Sequence, residues 1–199
     1  HKAIRRQRQM CIRDSNGNGT LNVNAGYRNG IKSTDDCIIV SGTLNITSTE
    51  DGIIGKDLCG VVAGDININA GSDGIKSTYD TDTTKGNVII EGGNITIKAS
   101  NDGIQAENIL VINDGAINIK TNNGAADTTQ THIDNMDMGR GGFGFNNNKT
   151  TTTTDDTSES RKGIKAGNML IINDGDITID SDDDSVHCNS VIYLSLIHI

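Results

Sequence analysis

Three aspartates recur at one point of a repeated pattern in this 199-residue sequence. Asp51, Asp73 and Asp102 each precede a Gly-Ile pair, at spacings of 22 and 29 residues. The pair Asp183 and Asp184 stands at the same point of a later repeat. Carboxylates about 5 Å apart repel one another unless one is protonated or a cation lies between them. Because Ca²⁺ takes about six to eight oxygen ligands in flexible geometry, these aspartates are candidate calcium ligands. The alternative is that they form Asx turns before glycine.

A short insertion supplies further oxygen ligands. It adds seven residues to one repeat and contains Asp80 and Asp82, next to Tyr79. An insertion of this length is short enough to be ordered. Asp80 and Asp82 are therefore further candidates for calcium binding.

A second column of residues lies one position after the isoleucine of the Gly-Ile pairs and its equivalents. Its polar members are Lys32, Lys76, Gln105, Lys165 and His187. Cations beside an acidic ridge can bind the carboxylates of an acidic polysaccharide, with Ca²⁺ bridging from the other side. Lysines are equally typical of a solvated sheet face, where they discourage edge pairing. Both interpretations stay open, and these five residues are candidate carbohydrate ligands.

Lys76 is also the candidate base of a polysaccharide lyase. Such an enzyme needs Ca²⁺ to acidify the C5 proton of the sugar and a Lys or Arg side chain to remove that proton. In the stack of repeats, Lys76 stands beside both Asp73 and Asp102. This alternative differs from binding alone because it predicts a reaction product.

Two cysteines occupy the same position of neighbouring repeats, since Cys37 and Cys59 lie 22 residues apart. Val88, Leu110 and Leu170 hold that position in other repeats. This pattern favours two buried thiols that pack as small apolar groups. A disulfide is the alternative, and it requires Cα atoms about 4.4–6.8 Å apart. No Cys/His spacing indicates a zinc site.

The elements that must carry these residues follow from an internal repeat of 22 residues. Its glycine anchors are Gly19, Gly42, Gly64, Gly93, Gly115 and Gly175, spaced by 22 residues plus insertions of 1, 0, 7, 0 and 38. After each anchor, apolar and polar residues alternate, which is typical of a half-buried strand. Two more apolar segments follow in each unit. Three short strands per repeat bury their faces only by stacking, at about 4.8 Å per coil.

The repeat predicts an all-β fold, a right-handed parallel β-helix of about six coils with truncated ends. A left-handed hexapeptide helix would instead require multiples of about six residues. The composition agrees, because the chain has no proline and no tryptophan. Proline would remove a ladder hydrogen bond from strands that are paired on both sides, and a narrow stacked interior has little room for indole rings.

Charge and hydropathy exclude several classes of partner. The 26 acidic and 17 basic side chains give a net charge of −9. An acidic surface repels nucleic acid and anionic membranes and attracts cations. The sequence also has no apolar run of about eighteen residues, so we expect neither a nucleic-acid partner nor membrane insertion.

We expect residues 16–190 to form a single β-helix domain. The basic head at 1–15 and the tail at 191–199 break the repeat, and we interpret them as artefactual, disordered or irregular. The insertion at about 125–162 has little apolar content and no periodicity, which predicts a disordered loop. A binding arm that uses its Met and Phe side chains is the alternative.

The segments SDGIKS, NDGIQAEN, RKGIKAGNMLIINDGDITIDS and DDSVHCNS resemble a known bacterial family. Over residues 16–190 the chain is similar to the clostridial carbohydrate-binding domain-containing β-helix proteins. The resemblance implies a pectate-lyase-like fold, a secreted or surface-anchored setting, and binding of calcium and of plant-wall polysaccharide such as polygalacturonate or cellulose. Established lyase activity is not part of it. The Asp-Asp pair of the family corresponds to Asp183 and Asp184, and its His corresponds to His187.

The resulting functional hypothesis is calcium-assisted, non-catalytic binding of an acidic plant-wall polysaccharide by an extracellular or cell-surface module. We expect the module to be monomeric. The alternatives are a polysaccharide lyase that uses Lys76 and a structural adhesin or stalk in which the rod serves as a spacer.

Overall fold

The computed structural model describes residues 13–15, 17–122, 124 and 160–195. These residues form β-strands and no α-helix. The strands assemble into three sheets in which every neighbouring pair is parallel, and each coil adds one strand to each sheet. This arrangement confirms the predicted all-β, right-handed parallel β-helix. The described part of the chain contains no helix that is long and apolar enough to span a membrane.

Strand numbers follow chain order. Sheet 1 contains β1 (Arg13–Ser15), β4 (Asp36–Ile39), β7 (Leu58–Val61), β10 (Asn87–Ile90), β13 (Ile109–Ile112), β16 (Met169–Ile172) and β19 (Val191–Leu194). Sheet 2 contains β2 (Thr20–Ala25), β5 (Thr43–Ser48), β8 (Asp65–Ala70), β11 (Asn94–Ala99), β14 (Ala116–Thr121) and β17 (Asp176–Asp180). Sheet 3 contains β3 (Ile31–Ser33), β6 (Ile53–Gly55), β9 (Ile75–Lys76), β12 (Ile104–Ala106), β15 (Ile164–Ala166) and β18 (Val186–Cys188).

The interior consists of aliphatic ladders, because in-register parallel pairing puts the same repeat position of each coil above its predecessor. In sheet 2, Ile66, Ile95 and Ile117 are aligned and almost fully buried. In sheet 3, Ile75 and Ile104 are aligned and have no exposed surface. Each such side chain stabilises the fold by roughly 1.5–3 kcal/mol relative to an exposed one. The alignment also determines which side chains point outward, since neighbours along a strand face opposite sides.

The glycine anchors are the corners before sheet 2. Gly64 has φ of +117°, and a Cβ at this position would lie 2.6 Å from the carbonyl oxygen of Gly42 in the preceding coil. Gly93 repeats the geometry one coil later, with φ of +104°. Positive φ and close stacking of backbone explain why glycine recurs at this position of the repeat.

The two cysteines of sheet 1 are aligned as the spacing predicts. Cys37 and Cys59 are register partners in β4 and β7, and both are buried. Neither forms a disulfide in this structure, in keeping with the buried-thiol interpretation. A hydrogen bond with the Cys37 thiol, together with burial, raises the pKa of Cys59 well above its usual value.

The insertion and the chain ends are described only in part. Residues 78–86 lie against the previous coil, since the Gly86 N–H donates to the Asp57 carbonyl oxygen at 2.7 Å. Residues 125–159, most of the predicted disordered loop, lie outside the described residues. Strands β1 and β19 pair in register with β4 and β16. Parallel pairing therefore extends beyond the 16–190 boundaries that the repeat predicts.

Candidate functional site

The aspartates before sheet 3 form one column, as their spacing predicts, and the column is a ladder of hydrogen bonds between coils. The Asp73 N–H donates to Asp51 Oδ1 at 3.1 Å, and the Asp102 N–H donates to Asp73 Oδ1 at 3.0 Å. The Lys162 N–H continues the ladder by donating to Asp102 Oδ1 at 2.8 Å. One oxygen of each carboxylate therefore satisfies a backbone donor of the next coil, the Asx-type role that the sequence left open.

Two lysines neutralise the second oxygens of Asp73 and Asp102. Lys76 Nζ lies 2.5 Å from Asp73 Oδ2, and Lys165 Nζ lies 3.2 Å from Asp102 Oδ2. The two carboxylates are almost inaccessible, with side chains 5% and 2% exposed. Because a buried carboxylate without a partner is costly, these ion pairs are part of the fold. A sugar carboxylate at either lysine would share its ammonium group with Asp73 or Asp102.

The other predicted carbohydrate ligands on sheet 3 differ in accessibility. Gln105 Nε2 donates to Glu107 Oε1 at 3.1 Å. His187 Nδ1 lies 3.0 Å from Asp184 Oδ2, within the same coil. The strand register puts Lys32, Gln105 and His187 on one face of sheet 3. Gln105 and His187 already contact neighbouring side chains, whereas Lys32 is exposed.

The electrostatics of Lys76 do not suit a general base. Burial lowers its pKa, but the charge and hydrogen bond of Asp73, together with the charges of Asp51 and Glu107, raise it, and the net shift is upward. Burial in turn raises the pKa of Asp73, and Lys76 offsets only part of that shift. A base that works near neutral pH requires a lysine whose pKa is lowered. Lys76 remains protonated under those conditions.

The remaining candidate calcium ligands lie in separate places. Asp82 caps its own turn, and the hydrogen bond from the Thr84 N–H lowers its pKa. Asp80 is exposed in the same loop. Asp183 and Asp184 both contact Lys162 Nζ, at 2.5 and 3.2 Å. Within the described ranges, no three His, Cys, Asp or Glu side chains are arranged to hold a metal ion. These aspartates therefore do not converge on one place, and calcium binding stays a prediction of the sequence.

A groove runs along the outward face of sheet 2, where an amide ladder crosses the strands. Asn45 Nδ2 donates to Asn22 Oδ1 at 2.8 Å, and Asn67 Nδ2 donates to Asn45 Oδ1 at 3.0 Å. These bonds hold the three amides in one orientation at the same position of successive coils. Each amide keeps a second N–H and a second oxygen lone pair available for a ligand.

The groove is long and free of carboxylates. Its first part has a volume of about 490 Å³ and continues from the amide ladder to Thr96 and Lys98. A second part of about 280 Å³ shares Asn69 and Lys98 with the first and extends to Lys120 and Asn122. The lining of both parts contains Asn, Thr, Ser, Lys and apolar residues, but no Asp or Glu. The arrangement suits hydrogen bonding to a linear, hydroxyl-rich chain.

A sequence signal for this groove exists, although it lies outside any catalytic or metal motif. Asn is depleted in strands, yet the outward position three residues after each glycine anchor holds Asn or Thr in each unit. These residues are Asn22, Asn45, Asn67, Thr96, Asn118 and Thr178. A polar type that recurs on an exposed face against its strand propensity indicates a ladder or a binding surface.

Comparison with known proteins agrees with the fold and with a carbohydrate ligand. A search of curated proteins gives no match. A solved structure, the polysaccharide lyase-like protein from C. thermocellum in a gadolinium derivative, is similar with a TM-score of 0.56 and 23% sequence identity. The match covers 89% of this chain but 48% of that protein, so this chain spans about half its length. Residues 7–196 match the profile of a family described as carbohydrate-binding domain-containing protein. The chain therefore belongs to the carbohydrate-binding domain-containing family, which supports polysaccharide binding in general terms.

Proposed function

We propose that this β-helix binds a linear plant-wall polysaccharide along the groove of sheet 2, outside the cell and without chemical change to the glycan. The observation that carries the proposal is the Asn22–Asn45–Asn67 ladder at the base of an open groove of about 490 Å³. The ladder repeats once per coil. A polysaccharide repeats its hydroxyl groups along its length, so successive units can make equivalent contacts.

The ladder also reduces the entropic cost of binding. A free Asn side chain loses rotamer freedom when a ligand orders it, and each such side chain costs about 0.5–1.5 kcal/mol in binding. Asn45 is already held from both sides, by Asn22 and by Asn67. Asn24, Thr47 and Asn69 line the groove beside the ladder and add further polar groups for a sugar chain.

Polygalacturonate is the glycan that we propose, on the strength of the family resemblance. Calcium assistance stays a prediction of the sequence, because the described aspartates are engaged by backbone N–H groups and lysines. A calcium titration of the full chain by calorimetry, with and without polygalacturonate, tests it. A lyase that uses Lys76 is disfavoured by the raised pKa of that residue.

The test compares the wild type with Asn45→Ala and Asn67→Ala in sedimentation with insoluble pectin and in calorimetry with soluble polygalacturonate. We expect each variant to lose affinity about five- to tenfold, since a hydrogen bond contributes about 1 kcal/mol. Asn173→Ala is the matched control, because Asn173 donates to Asn113 in an equivalent ladder that lies outside the groove. Unchanged affinity in both groove variants would place the ligand elsewhere, and unsaturated products would overturn binding without reaction.

A further inference from the structure

We infer that Lys98 recognises the carboxylate of an acidic sugar by direct contact, so that the groove selects uronate units without a bridging cation. The inference rests on the proposed function of the groove and assigns its specificity. Lys98 is an exposed residue of β11. It lines both parts of the groove and therefore lies where they join.

The charge of Lys98 is not neutralised by the described part of the protein. Five other lysines form ion pairs with aspartates: Lys76, Lys85, Lys120, Lys162 and Lys165. Lys98 makes no ion pair with any described residue. In a chain with net charge −9, an unpaired ammonium group in a groove attracts an anion from solution. Sugar carboxylates are the anionic groups of plant-wall glycans that such a site fits.

The register partners of Lys98 differ from it in charge or in pairing, so the expected preference for a carboxylate is confined to Lys98. Its register partners are Asn69 in β8 and Lys120 in β14. Asn69 is uncharged, and Lys120 lies 2.7 Å from Asp180 Oδ2. The amides on one side of Lys98 therefore suit hydroxyl groups, and the lysine on the other side is already paired. Of the described groove residues, Lys98 is therefore the one that should contribute most to the binding free energy of a carboxylate.

The chemistry of the groove argues for direct contact rather than a calcium bridge. A bridging Ca²⁺ needs oxygen ligands from the protein, and carboxylates are its usual protein ligands. The groove lining holds amide and hydroxyl oxygens but no Asp or Glu. A lysine ammonium group is a compact point charge that can approach one carboxylate without further ligands.

The experiment measures affinity for a defined oligogalacturonate and for its fully methyl-esterified form, by calorimetry in buffer with EDTA. The proteins are the wild type, Lys98→Gln, Lys98→Arg and the control Lys56→Gln, which removes an exposed lysine outside the groove lining. We expect Lys98→Gln to bind the acid about tenfold more weakly, as for loss of a charge-assisted hydrogen bond, and to bind the ester unchanged. Lys98→Arg and Lys56→Gln should bind both ligands like the wild type.

Each outcome separates this inference from the proposed function. Equal loss for acid and ester in Lys98→Gln would overturn charge selection and leave glycan binding intact. Wild-type binding of the acid that disappears in EDTA would overturn direct contact and favour a calcium bridge. Failure of the wild type to bind acid or ester, with or without Ca²⁺, would overturn the proposed function itself. Melting temperatures of the variants confirm that the surface substitutions leave the fold intact.

Discussion

Gly64 shows how a single residue determines the corner before sheet 2. Its φ of +117° lies in the region that side chains other than glycine rarely adopt, and a Cβ would meet the Gly42 carbonyl oxygen at 2.6 Å. We expect Gly64→Ala to lower the free energy of unfolding by about 1–3 kcal/mol, because both the backbone strain and the contact oppose the folded state. Denaturant unfolding followed by circular dichroism measures the change.

Gly26→Ala is the matched control for that substitution. Gly26 is exposed, its φ is not positive, and a Cβ there would meet nothing within 4 Å. We expect its free energy of unfolding to change by less than about 0.5 kcal/mol. Equal destabilisation by the two substitutions would mean that helix and strand propensity, rather than corner geometry, explains the recurrence of glycine.

For individual residues, the sequence predicts the place in the fold better than it predicts the contacts of the side chain. The 22-residue spacing puts Asp51 and Asp73 in one column, and the structure has them there. The spacing does not reveal that the Asp73 N–H binds Asp51 or that Lys76 reaches back to Asp73 within its own coil. Such roles depend on rotamers and burial, which a one-dimensional repeat does not encode. From the sequence, a column of carboxylates is therefore compatible both with a metal site and with Asx turns.

The ion pairs at the start of sheet 3 make an element whose stability depends on pH. The pKa of Lys76 is raised by Asp73 and that of Lys162 by Asp183 and Asp184, in each case against the opposing effect of burial. A raised lysine pKa contributes stability that is fully present below the unfolded pKa of about 10.4 and is lost as pH rises through the folded pKa. We expect the melting temperature to fall steeply above about pH 10.4. Thermal unfolding at a series of alkaline pH values measures this.

Two variants test whether the alkaline fall in melting temperature comes from the buried Lys76–Asp73 ion pair. Lys76→Gln leaves Asp73 without its cation at every pH, so we expect a lower melting temperature at pH 8 and a shallower fall above it. Lys32→Gln should follow the wild type, because Lys32 is exposed and lies outside these ion pairs. If the slope of Lys76→Gln matched that of the wild type, the transition would belong to other groups.

The sequence predicts the strands of sheet 2 more fully than those of sheet 1. In β8 and β11, alternation assigns each residue to the core or to solvent, and the burial pattern agrees. In β13 and β16, four consecutive apolar residues hide that choice. Their register nevertheless makes Val111 and Ile171 half-buried outward neighbours, with Leu110 and Leu170 inside. A continuous apolar segment predicts a buried strand but not its inner face.

The described part of the chain is a one-dimensional stack, and the proposed groove depends on that regularity. The groove exists because Asn22, Asn45 and Asn67 come from three different coils held in register. A slip of one residue in any coil would turn its amide inward. The same regularity that allows the fold to be predicted from the sequence therefore forms the proposed binding surface, and loss of register should affect both.

A destabilising substitution in one coil should affect the adjacent coils more than the distant ones. Ile97 has no exposed surface and lies between Ile68 and Ile119 of adjacent coils, so Ile97→Ala should cost about 2–5 kcal/mol locally. In a solenoid each coil contacts only its neighbours, so we expect hydrogen exchange to accelerate most in β8, β11 and β14 and least in β2. Leu21→Ala is the control, because Leu21 is 47% exposed and its substitution should leave the central strands protected. If Ile97→Ala accelerated hydrogen exchange equally in all strands, the rod would open as one cooperative unit. A ligand in the groove would then stabilise every coil equally.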